Sequence, residues 1–458
     1  MEPDQVRTSQ DLRTLINERD VDHVTVAASD LQGLLRGKYM ARDKFLGALD
    51  HGFGMPPVIF VLDPTDVIME IPRWSDETAR FHDGVVKIIP ETLREIPWEP
   101  AHRNLFVLVG LTGDDDVICP RALYERVAKK AADMGFRPFH ACELEYTLFD
   151  ETAMSAYQKG YKNLELTTPH RGYGVLQRQE VRSDFYADLM DTMRHMRVPL
   201  EAVHEEIGVA SQLETSLQYS EGITAADNAV IFKTFAKAVA QRRGQLLSFM
   251  ARWTHEADGQ SGHLHMSLRD LEGQPVFHDP SKEGGMSDTM LYFIGGMQKL
   301  LPELLLMLAP NVNSFKRFVP DIFAPTSVFW GRENRTVALR AITGPAKSQR
   351  VECRVPGADA NPYLSLAGTL AAGLYGIEHR IEPAAEMTEN AYAQKVPAKL
   401  RLPETFRDGI ERYNKSKFAR EWFGDPFVDL YVAGRAQQEQ EFRSLVTAPE
   451  LERFLELS

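Results

Sequence analysis

Residues 139–149 read FHACELEYTLF, an apolar run interrupted by the two glutamates Glu143 and Glu145. The run is predicted to form a strand that follows a helix. Successive side chains of a strand point to opposite faces, so both carboxylates lie on one face, about 7 Å apart. Charged residues are usually exposed, and a single pair of this kind is most simply a solvated strand face. The rest of the chain decides whether the pair has a chemical role.

Further acidic residues and two histidines occur downstream at strand-like spacing. Glu206 and Glu214 are separated by an even step, and His263-Leu264-His265 places two imidazoles on one face. Glu352 lies between apolar neighbours in a fourth predicted strand. Burying so many like charges is costly unless cations neutralise them. Five glutamates and one histidine form an oxygen-rich set, which predicts Mg²⁺ or Mn²⁺ and not structural zinc.

A basic set lies in the C-terminal half of the chain. Its seven members fall within 38 residues and are Arg317, Arg332, Arg335, Arg340, Lys347, Arg350 and Arg354. Such residues commonly serve solubility, but here they interrupt strand-like apolar runs in a protein that is acidic as a whole. Arginine pairs bidentately with phosphate and carboxylate groups. Together with a metal cluster, the basic set suggests phosphoryl transfer from a nucleotide.

Motifs of several other enzyme classes are absent from the sequence. No Gly-x-Gly-x-x-Gly occurs, and residues 344–348 (GPAKS) lack the glycine that precedes the lysine in a phosphate loop. Residues 204–208 (HEEIG) begin like a zinc protease motif, but Gly208 stands where the second histidine is required. Hydrolase and dinucleotide-binding readings are therefore disfavoured.

The composition is that of a soluble globular protein, with 458 residues, 43% hydrophobic and 26% charged. A net charge of -13 disfavours nucleic acid and anionic membranes as partners. The three cysteines, Cys119, Cys142 and Cys353, are too few for a disulfide framework and are expected to be buried. Residues 291–308 are the most apolar stretch, but Pro302 and polar residues interrupt it, so no membrane span is predicted. No secretion signal is visible, and the cytosol is the expected location.

The chain is predicted to be an α+β protein with a boundary at the acidic turn, residues 113–116. Beyond this turn, helices predicted from Pro120, from a Ser183 cap and around Ile231 are each followed by a strand. These strands are predicted at residues 139–149, 203–208 and 245–253. Before the turn, strand-like runs occur at residues 23–27, 58–62, 85–90 and 105–111.

Five segments, in this order, resemble the motifs of the glutamine synthetase family. They are residues 142–145 (CELE), 204–214 (HEEIGVASQLE), 261–268 (SGHLHMSL), 313–320 (NSFKRFVP) and 350–363 (RVECRVPGADANPY). The resemblance implies an N-terminal β-grasp domain over residues 1–112. It implies a C-terminal catalytic domain over residues 113–458, with a funnel-like antiparallel sheet flanked by helices. It also implies a homo-oligomer, a dodecamer of two stacked hexameric rings with active sites between neighbouring subunits.

The resemblance also implies a role for individual residues, position by position. Glu145, Glu206 and Glu214 match the ligands of one Mg²⁺ or Mn²⁺, and Glu143, His263 and Glu352 match those of a second ion associated with ATP. Arg317 and Arg354 match residues that hold the glutamate carboxylate, Arg335, Arg340 and Arg350 match contacts to the ATP phosphates, and His265 and Ser267 match nucleotide-site residues. Tyr173 matches an aromatic residue at the ammonium site. Arg335, Arg317 and Tyr173 are the implied catalytic residues.

The sequence departs from the ammonia-using members of the family at the nucleophile site. Those members carry a flap glutamate six residues after the arginine matched by Arg317, and here that position is Phe323. Another acid, such as Asp321 or Glu205, is the alternative source of a carboxylate. The glycine-rich run before His263 is one residue shorter than usual, so either Gly259 or Gln260 takes the substrate-contacting role.

These departures predict an organic amine as the nucleophile. An ammonium ion is small and strongly hydrated, so its pocket needs carboxylates, whereas the carbon atoms of an amine pack against a ring. The sequence therefore predicts an ATP-dependent ligase that joins the γ-carboxylate of glutamate to a small amine, preferably a monoamine, through a γ-glutamyl phosphate. The alternatives are glutamine synthesis from ammonia and a non-catalytic structural relative of the same fold.

Overall fold

Six strands form the first sheet of the computed structural model, which describes residues 1–71, 73–75, 79–256, 258–319 and 324–457. They are β1 (His23–Ser29), β2 (Leu35–Ala41), β3 (Phe53–Met55), β4 (Gly84–Ile88), β5 (Arg94–Glu95) and β6 (Leu105–Leu111). Their order is β2-β1-β6-β4-β3, and β5 also pairs with β6. β1 and β6 run parallel, and the other pairs run antiparallel. Helix α2 (Arg42–His51) packs against this sheet, and α1 (Ser9–Glu18) packs against α2.

The strand predicted at residues 58–62 is wrong. This segment forms a 3₁₀ helix, Pro57–Val61, which follows Pro56. Proline fixes φ near −65° and lacks the amide hydrogen that a strand ladder needs, so two consecutive prolines favour a short helix here. Phe60 and Val61 are nevertheless buried. The other three predicted runs are confirmed as β1, β4 and β6.

Nine strands between residues 137 and 353 form the second sheet. They are β7 (Arg137–Phe149), β8 (Leu200–Glu205), β9 (Gln212–Leu217), β10 (Ser220–Glu221), β11 (Leu246–Ser248), β12 (Gly262–Arg269), β13 (Trp330–Arg332), β14 (Leu339–Ile342) and β15 (Arg350–Cys353). The order is β13-β14-β15-β12-β7-β9-β8, with β10 and β11 also paired to β7. β13 and β14 are parallel, and the remaining pairs are antiparallel. The strand that carries Glu143 and Glu145, β7, therefore pairs with four other strands, β9, β10, β11 and β12.

Twelve further helices accompany the second sheet in the described part of the chain. They are α3 (Pro120–Asp133), α4 (Ala153–Gln158), α5 (Leu176–Glu180), α6 (Ser183–His195), α7 (Ile223–Arg242), α8 (Asp288–Leu308), α9 (Val312–Phe315), α10 (Pro362–Glu378), α11 (Phe406–Lys415), α12 (Lys417–Phe423), α13 (Asp425–Ser444) and α14 (Ala448–Phe454). The predicted helix–strand units are confirmed as α3–β7, α6–β8 and α7–β11. Together the two sheets and their helices confirm the α+β class.

The predicted cap of α6 is wrong by one residue. Ser183 is the first helical residue, and Arg182 precedes it without a side-chain capping bond. The carboxylate of Asp184 accepts a hydrogen bond from the amide of Phe185 at 2.8 Å. An acidic side chain in the first turn satisfies a free amide there, so a serine cap is not required.

Helices α8 and α10 pack against each other in the core. By length and composition alone α8 is long and apolar enough to cross a membrane, but 78% of its most apolar 18-residue window is buried. This burial is typical of a core helix of a soluble protein. Pro302 lies inside α8, and the buried amide of Gln298 bonds Val328 O and Ala384 N, each at 2.8 Å. The three cysteines are buried and unpaired, as predicted.

Candidate active site

Strand register brings the predicted metal residues to one face of the second sheet. Glu143 on β7 lies opposite His263 on β12. Glu145, two residues further along β7, lies opposite Glu214 on β9. Residues that face each other across a strand pair point to the same side of a sheet. The alternating pattern in the sequence therefore predicted the shared face correctly.

Three groups of side chains hold possible ligand atoms within 4.8 Å of one another. They are Glu143–His265–Glu352, Glu143–Glu214–His263 and His204–Glu206–Glu214. Of the six predicted ligands, Glu145 is outside these groups. Its Oε2 accepts hydrogen bonds from Gln212 Nε2 and Ser261 N, each at 2.8 Å. His204 was not predicted, although it precedes Glu206 by two residues, the same spacing that singled out Glu143 and Glu145.

The electrostatics of this cluster favour a bound cation. Burial and the nearby carboxylates of Glu143 and Glu145 raise the pKa of Glu214 to about 9. Burial and the carboxylate of Glu206 raise the pKa of Glu145 to about 7. Ionisation of Glu145 and Glu214 beside the other carboxylates is therefore unfavourable unless positive charge is added. Their oxygen atoms are the ligands that Mg²⁺ and Mn²⁺ prefer, so the donor set fits the predicted ions.

His263 offers a neutral nitrogen to the same cluster. Burial and the charge of Arg354 lower the pKa of His263 to about 4. Its Nδ1 lies 3.7 Å from Glu143 and 3.6 Å from Glu352. Its buried Nε2 has no hydrogen-bond partner within the described residues. A neutral imidazole with an unpaired nitrogen among carboxylates fits a metal ligand.

Two buried arginines lie beside the carboxylates. Arg317, which is 1% exposed, donates from Nη1 to Val355 O at 2.8 Å, and from Nη2 to Ser261 Oγ at 2.8 Å and Arg354 O at 3.1 Å. Arg354, which is 5% exposed, donates to Oε1 of Glu352. The structure therefore places both predicted glutamate-binding residues next to the predicted metal ligands. A carboxylate that binds Arg317 would therefore share its N–H donors with Val355 O, Ser261 Oγ and Arg354 O.

The structure also distinguishes between Gly259 and Gln260, the two candidates for the substrate-contacting residue. A Cβ atom at position 259 would lie 2.4 Å from Cγ of Arg317, so this close approach requires glycine. Gln260 is fully buried, and its Nε2 donates to Ser248 O at 3.0 Å and to Met250 O at 2.6 Å. Because the Gln260 side chain is engaged within the fold, Gly259 is the residue next to the predicted substrate arginine.

A cavity of about 220 Å³ adjoins the cluster, and its lining includes Glu143, His265, Ser267 and Arg350. A larger groove of about 590 Å³ lies elsewhere, beside Trp98. Arg350 Nε donates to His265 Nδ1 at 3.1 Å, and His265 Nε2 lies 3.1 Å from Glu143 Oε1. Arginine only donates, so His265 Nδ1 accepts this hydrogen bond. The buried Nε2 makes no hydrogen bond with any described residue. The structure thus places His265 at the cavity, in contact with Arg350. Its role at a nucleotide site stays a prediction.

The other two predicted phosphate contacts differ in their surroundings. Arg340 on β14 donates from Nη1 to Glu352 Oε2 at 2.9 Å and from Nη2 to Glu333 Oε2 at 2.7 Å. Arg335 is exposed in the loop before β14. It makes no hydrogen bond or ion pair with any residue that the structure describes. Arg335 is therefore free to reach a ligand, whereas Arg340 is held between two carboxylates. Glu333 was missed, since no sequence signal pairs it with Arg340.

On the predicted amine side, Tyr173 lies next to the cluster. The ring is 62% exposed and stands edge-on to His204, with 5.6 Å between the ring centroids. Phe323 and Asp321 lie outside the described residues. The exposed Tyr173 ring is therefore an apolar surface beside His204, one of the possible metal ligands.

Glu205 does not belong to this side of the sheet. It lies opposite Leu213 in the β8–β9 pair, whereas the preceding residue, His204, lies opposite Glu214. Glu205 therefore faces away from the predicted metal ligands and forms an ion pair with Arg182 on the other side of the sheet. The idea that Glu205 supplies the carboxylate of an ammonium pocket is thus wrong.

Comparison with known proteins identifies the family. Residues 117–454 match the family described as glutamine synthetase, catalytic domain. The chain belongs to the glutamine synthetase family. It is 37% identical to type-1 glutamine synthetase 2 of Dictyostelium discoideum over 95% of this chain and 84% of that protein. It is 31% identical to glutamate–isopropylamine ligase of a Pseudomonas species, with 97% of each chain covered.

The fold of this glutamine synthetase family member matches that of a solved structure, GmaS without ligand. The TM-score is 0.84 at 23% sequence identity, with 98% of this chain and 100% of that chain covered. The family match, residues 117–454, includes every residue of the candidate site described above. The name of one relative states glutamine as its product, and the name of the other states isopropylamine as its substrate. The family alone therefore does not choose between amine and ammonia.

Proposed function

We propose that the protein is an ATP-dependent ligase that joins the γ-carboxylate of glutamate to a small organic amine. The γ-carboxylate attacks the γ-phosphate of ATP, which releases ADP and forms γ-glutamyl phosphate. The amine then attacks the γ-carbonyl carbon, loses a proton and displaces phosphate to give a γ-glutamylamide. The observation that carries the proposal is the convergence of carboxylates and His263 on one sheet face, beside buried arginines. Phosphoryl transfer requires this combination of metal ligands and positive charge.

Each group of side chains has a role in the proposed reaction. When bound, Mg²⁺ or Mn²⁺ neutralises the charge that develops on the transferred phosphoryl group. The arginines orient the two anionic substrates, because their planar donors match phosphate and carboxylate oxygens. The proposed metal ligands are Glu143, Glu145, Glu206, Glu214, His263 and Glu352, with His204 added. The proposed phosphate contacts are Arg335, Arg340 and Arg350, the nucleotide-site residues are His265 and Ser267, and the glutamate contacts are Arg317, Arg354 and Gly259.

A non-catalytic relative would gain nothing from this cluster. Glu214 is flanked by other buried carboxylates, and its raised pKa shows that the ionised cluster is unfavourable in the absence of a cation. Apolar residues of similar volume would stabilise the fold better than such a group. The cluster therefore supports catalysis over a purely structural role.

Two features support an organic amine over ammonia. Position 323 is phenylalanine where ammonia-using members carry a glutamate, and Glu205 is paired with Arg182 on the opposite face. Apolar contact contributes about 25 cal/mol per Å², so a three- or four-carbon amine gains roughly 2 kcal/mol before entropic losses. This gain corresponds to about thirtyfold in binding. Similarity to a protein named glutamate–isopropylamine ligase supports the same choice.

The test is phosphate release with ATP, glutamate, Mg²⁺ and a panel of monoamines, diamines and ammonium. We expect kcat/KM for at least one small monoamine to exceed that for ammonium by about tenfold or more. Similarity to type-1 glutamine synthetase 2 favours the second candidate, glutamine synthesis. Equal or better efficiency with ammonium than with every amine would establish that candidate and reject the amine ligase.

A substitution at position 323 tests whether this residue determines the choice between an amine and ammonium. Phe323→Glu restores a carboxylate, which compensates the loss of water around ammonium. We expect the ratio of kcat/KM values, amine over ammonium, to fall by about tenfold or more in this variant. An unchanged ratio would show that position 323 does not determine the nucleophile.

We further propose the assembly and domain organisation that the family resemblance implies. The chain would form a β-grasp domain over residues 1–112 and a catalytic domain over residues 113–458, and assemble as a dodecamer of stacked hexameric rings in the cytosol. The last strand of the first sheet, β6, ends at Leu111, which is compatible with that boundary. Native mass spectrometry of the purified protein tests the subunit number directly.

A further inference from the structure

The loop between β13 and β14 begins at a residue with an unfavourable backbone conformation. Glu333 has φ of 50°, in the left-handed region that residues with a side chain rarely adopt. Its amide donates to Ala341 O at 3.0 Å. Residues held in this conformation cluster at functional sites, where the surrounding structure maintains them. Two residues later in the same loop lies Arg335, the exposed arginine that is a proposed phosphate contact.

The carboxylate of Glu333 joins this loop to the metal cluster through one arginine. Oε2 of Glu333 accepts a hydrogen bond from Nη2 of Arg340 at 2.7 Å, and Oε1 accepts one from the amide of Thr343 at 2.9 Å. The other end of the same guanidinium, Nη1, donates to Glu352 at 2.9 Å. Glu352 is 1% exposed and also accepts a hydrogen bond from Arg354. Arg340 is thus shared between an exposed carboxylate and a buried one.

Other residues fasten the loop. Asn334 Nδ2 donates to Met387 O at 3.0 Å and to Glu389 O at 2.8 Å. These bonds hold the loop against the following segment without the Glu333 carboxylate. The contact of Glu333 with Arg340 is therefore available for a role other than fixing the path of the chain.

We propose that Glu333 is a positioning residue that divides the Arg340 guanidinium between two carboxylates. In this arrangement Glu352 keeps negative charge for a divalent cation, and Arg340 keeps a fixed orientation toward the nucleotide. Without the Glu333 charge, both Nη groups turn to Glu352, which Arg354 already contacts. Glu352 is then neutralised, and its affinity for a cation falls. The inference rests on the proposed function, because it takes Glu352 as a metal ligand and Arg340 as a phosphate contact.

Binding of Mn²⁺ to the full-length protein, measured by electron paramagnetic resonance without nucleotide, tests the inference. Glu333→Gln removes the charge but keeps an oxygen for the Thr343 amide. We expect the Mn²⁺ dissociation constant to rise by about tenfold, a typical effect of one charge-assisted contact. Glu283→Gln is the matched control, because Glu283 pairs at 2.7 Å with Arg332, which does not contact Glu352. This control should bind Mn²⁺ like the wild type.

A double-mutant cycle separates positioning from a general structural effect. In an Arg340→Gln background, Glu333→Gln should change Mn²⁺ affinity by less than about twofold, because the shared arginine is gone. Arg340→Lys keeps the positive charge but cannot donate to Glu333 and Glu352 from two separate nitrogen atoms. We expect this variant also to bind Mn²⁺ more weakly, so it tests the inference even if Glu333→Gln fails to fold. For the folded Glu333→Gln enzyme, we expect kcat to fall more than KM for ATP rises, since orientation is lost while positive charge remains.

Two results would overturn the inference. One is Mn²⁺ affinity that is unchanged in both Glu333→Gln and Arg340→Lys, and the other is an equal loss from Glu333→Gln with and without Arg340. The Mn²⁺ measurement needs neither ATP nor an amine. Failure of the amine panel would therefore reject the proposed nucleophile while leaving this result intact.

Discussion

At the scale of single residues, Glu145 connects the proposed metal ligands to the backbone of the sheet. Its Oε2 accepts hydrogen bonds from Gln212 and Ser261, and burial with the charge of Glu206 raises its pKa to about 7. A neutral amide has nearly the same shape. We expect Glu145→Gln to stay folded, with a melting temperature within about 2 °C of wild type. The rate of ATP-dependent phosphate release should fall by about 100-fold or more, because removal of one preorganised group from an active site typically has an effect of this size.

The control for Glu145→Gln comes from the same sheet. Glu221 on β10 pairs with Arg137 outside the site, so Glu221→Gln should retain wild-type phosphate release. A Glu145→Gln enzyme that keeps more than half of the wild-type activity would exclude Glu145 from the reaction.

A second residue-scale prediction concerns pH and stability. His140 is buried, its Nε2 lies 2.7 Å from the hydroxyl of Tyr124, and burial lowers its pKa from 6.5 to about 3. Below pH 6.5 the unfolded chain binds a proton that the folded chain does not, so the free energy of unfolding falls as the pH decreases toward 3. The contribution lost at pH 5 is about 2 kcal/mol.

His140→Gln removes this titration and keeps an oxygen for Tyr124. Between pH 7.5 and pH 5, the free energy of unfolding in urea should therefore decrease by about 2 kcal/mol less than in the wild type. His255→Gln, at an exposed position, should keep the wild-type dependence. Parallel pH profiles for wild type and His140→Gln would contradict the assignment.

At the scale of secondary-structure elements, glycines set the separation of α8 and α10. A Cβ at Gly376 would lie 2.1 Å from Tyr292 O and 2.6 Å from Gly296 Cα. These atoms are backbone, so neither neighbour moves away without shifting a helix. We expect Gly376→Ala to lower the free energy of unfolding by about 3 kcal/mol, the upper part of the range for overpacking. Urea unfolding measures the loss.

Gly47 provides the matched control for this prediction. It also lies within a helix, α2, but a Cβ there would meet no atom within 4 Å. Alanine favours the helix over glycine, so Gly47→Ala should stabilise the protein by about 0.5–1 kcal/mol. Equal effects of the two substitutions would show that the α8–α10 contact is not constrained by close backbone approach.

At the scale of the whole molecule, cation binding should stabilise the fold. A ligand that binds the folded state at 100 times its dissociation constant adds about 2.7 kcal/mol. We expect Mn²⁺ to raise the melting temperature of the wild type, and a chelator to reverse this change. Glu214→Gln removes a carboxylate whose pKa is raised to about 9 by burial and neighbouring charges. The metal-free variant should be at least as stable as wild type, while its response to Mn²⁺ is lost.

Differential scanning fluorimetry with and without Mn²⁺ checks both parts of this prediction. A wild-type protein whose melting temperature does not respond to Mn²⁺ or Mg²⁺ would exclude the proposed metal centre. A Glu214→Gln variant that responds as the wild type does would remove Glu214 from it.

The sequence by itself determined the α+β class, the helix–strand units and the face that carries Glu143, Glu145 and His263. These features depend on local chemistry, because period-two alternation and helix start signals act within a few residues. The ordered motifs also determined the family. Residues 58–62 show the limit of predicting strands from apolar runs. The prolines at positions 56 and 57 favoured a 3₁₀ helix there instead of the predicted strand.

Only the tertiary structure decided which residue of an adjacent pair lies at the candidate site. This applies to Gly259 and Gln260 and to His204 and Glu205. Gly259 lies against Arg317 while Gln260 is engaged in the fold, and Glu205 faces away from the cluster that His204 joins. The sharing of Arg340 between Glu333 and Glu352 likewise depends on the positions of β14 and β15. Such contacts join residues that are distant in sequence, or residues on two different strands. The local sequence of a strand does not specify which other strand pairs with it. Spacing predicts the face of a strand, but the partner across it is determined by register and packing.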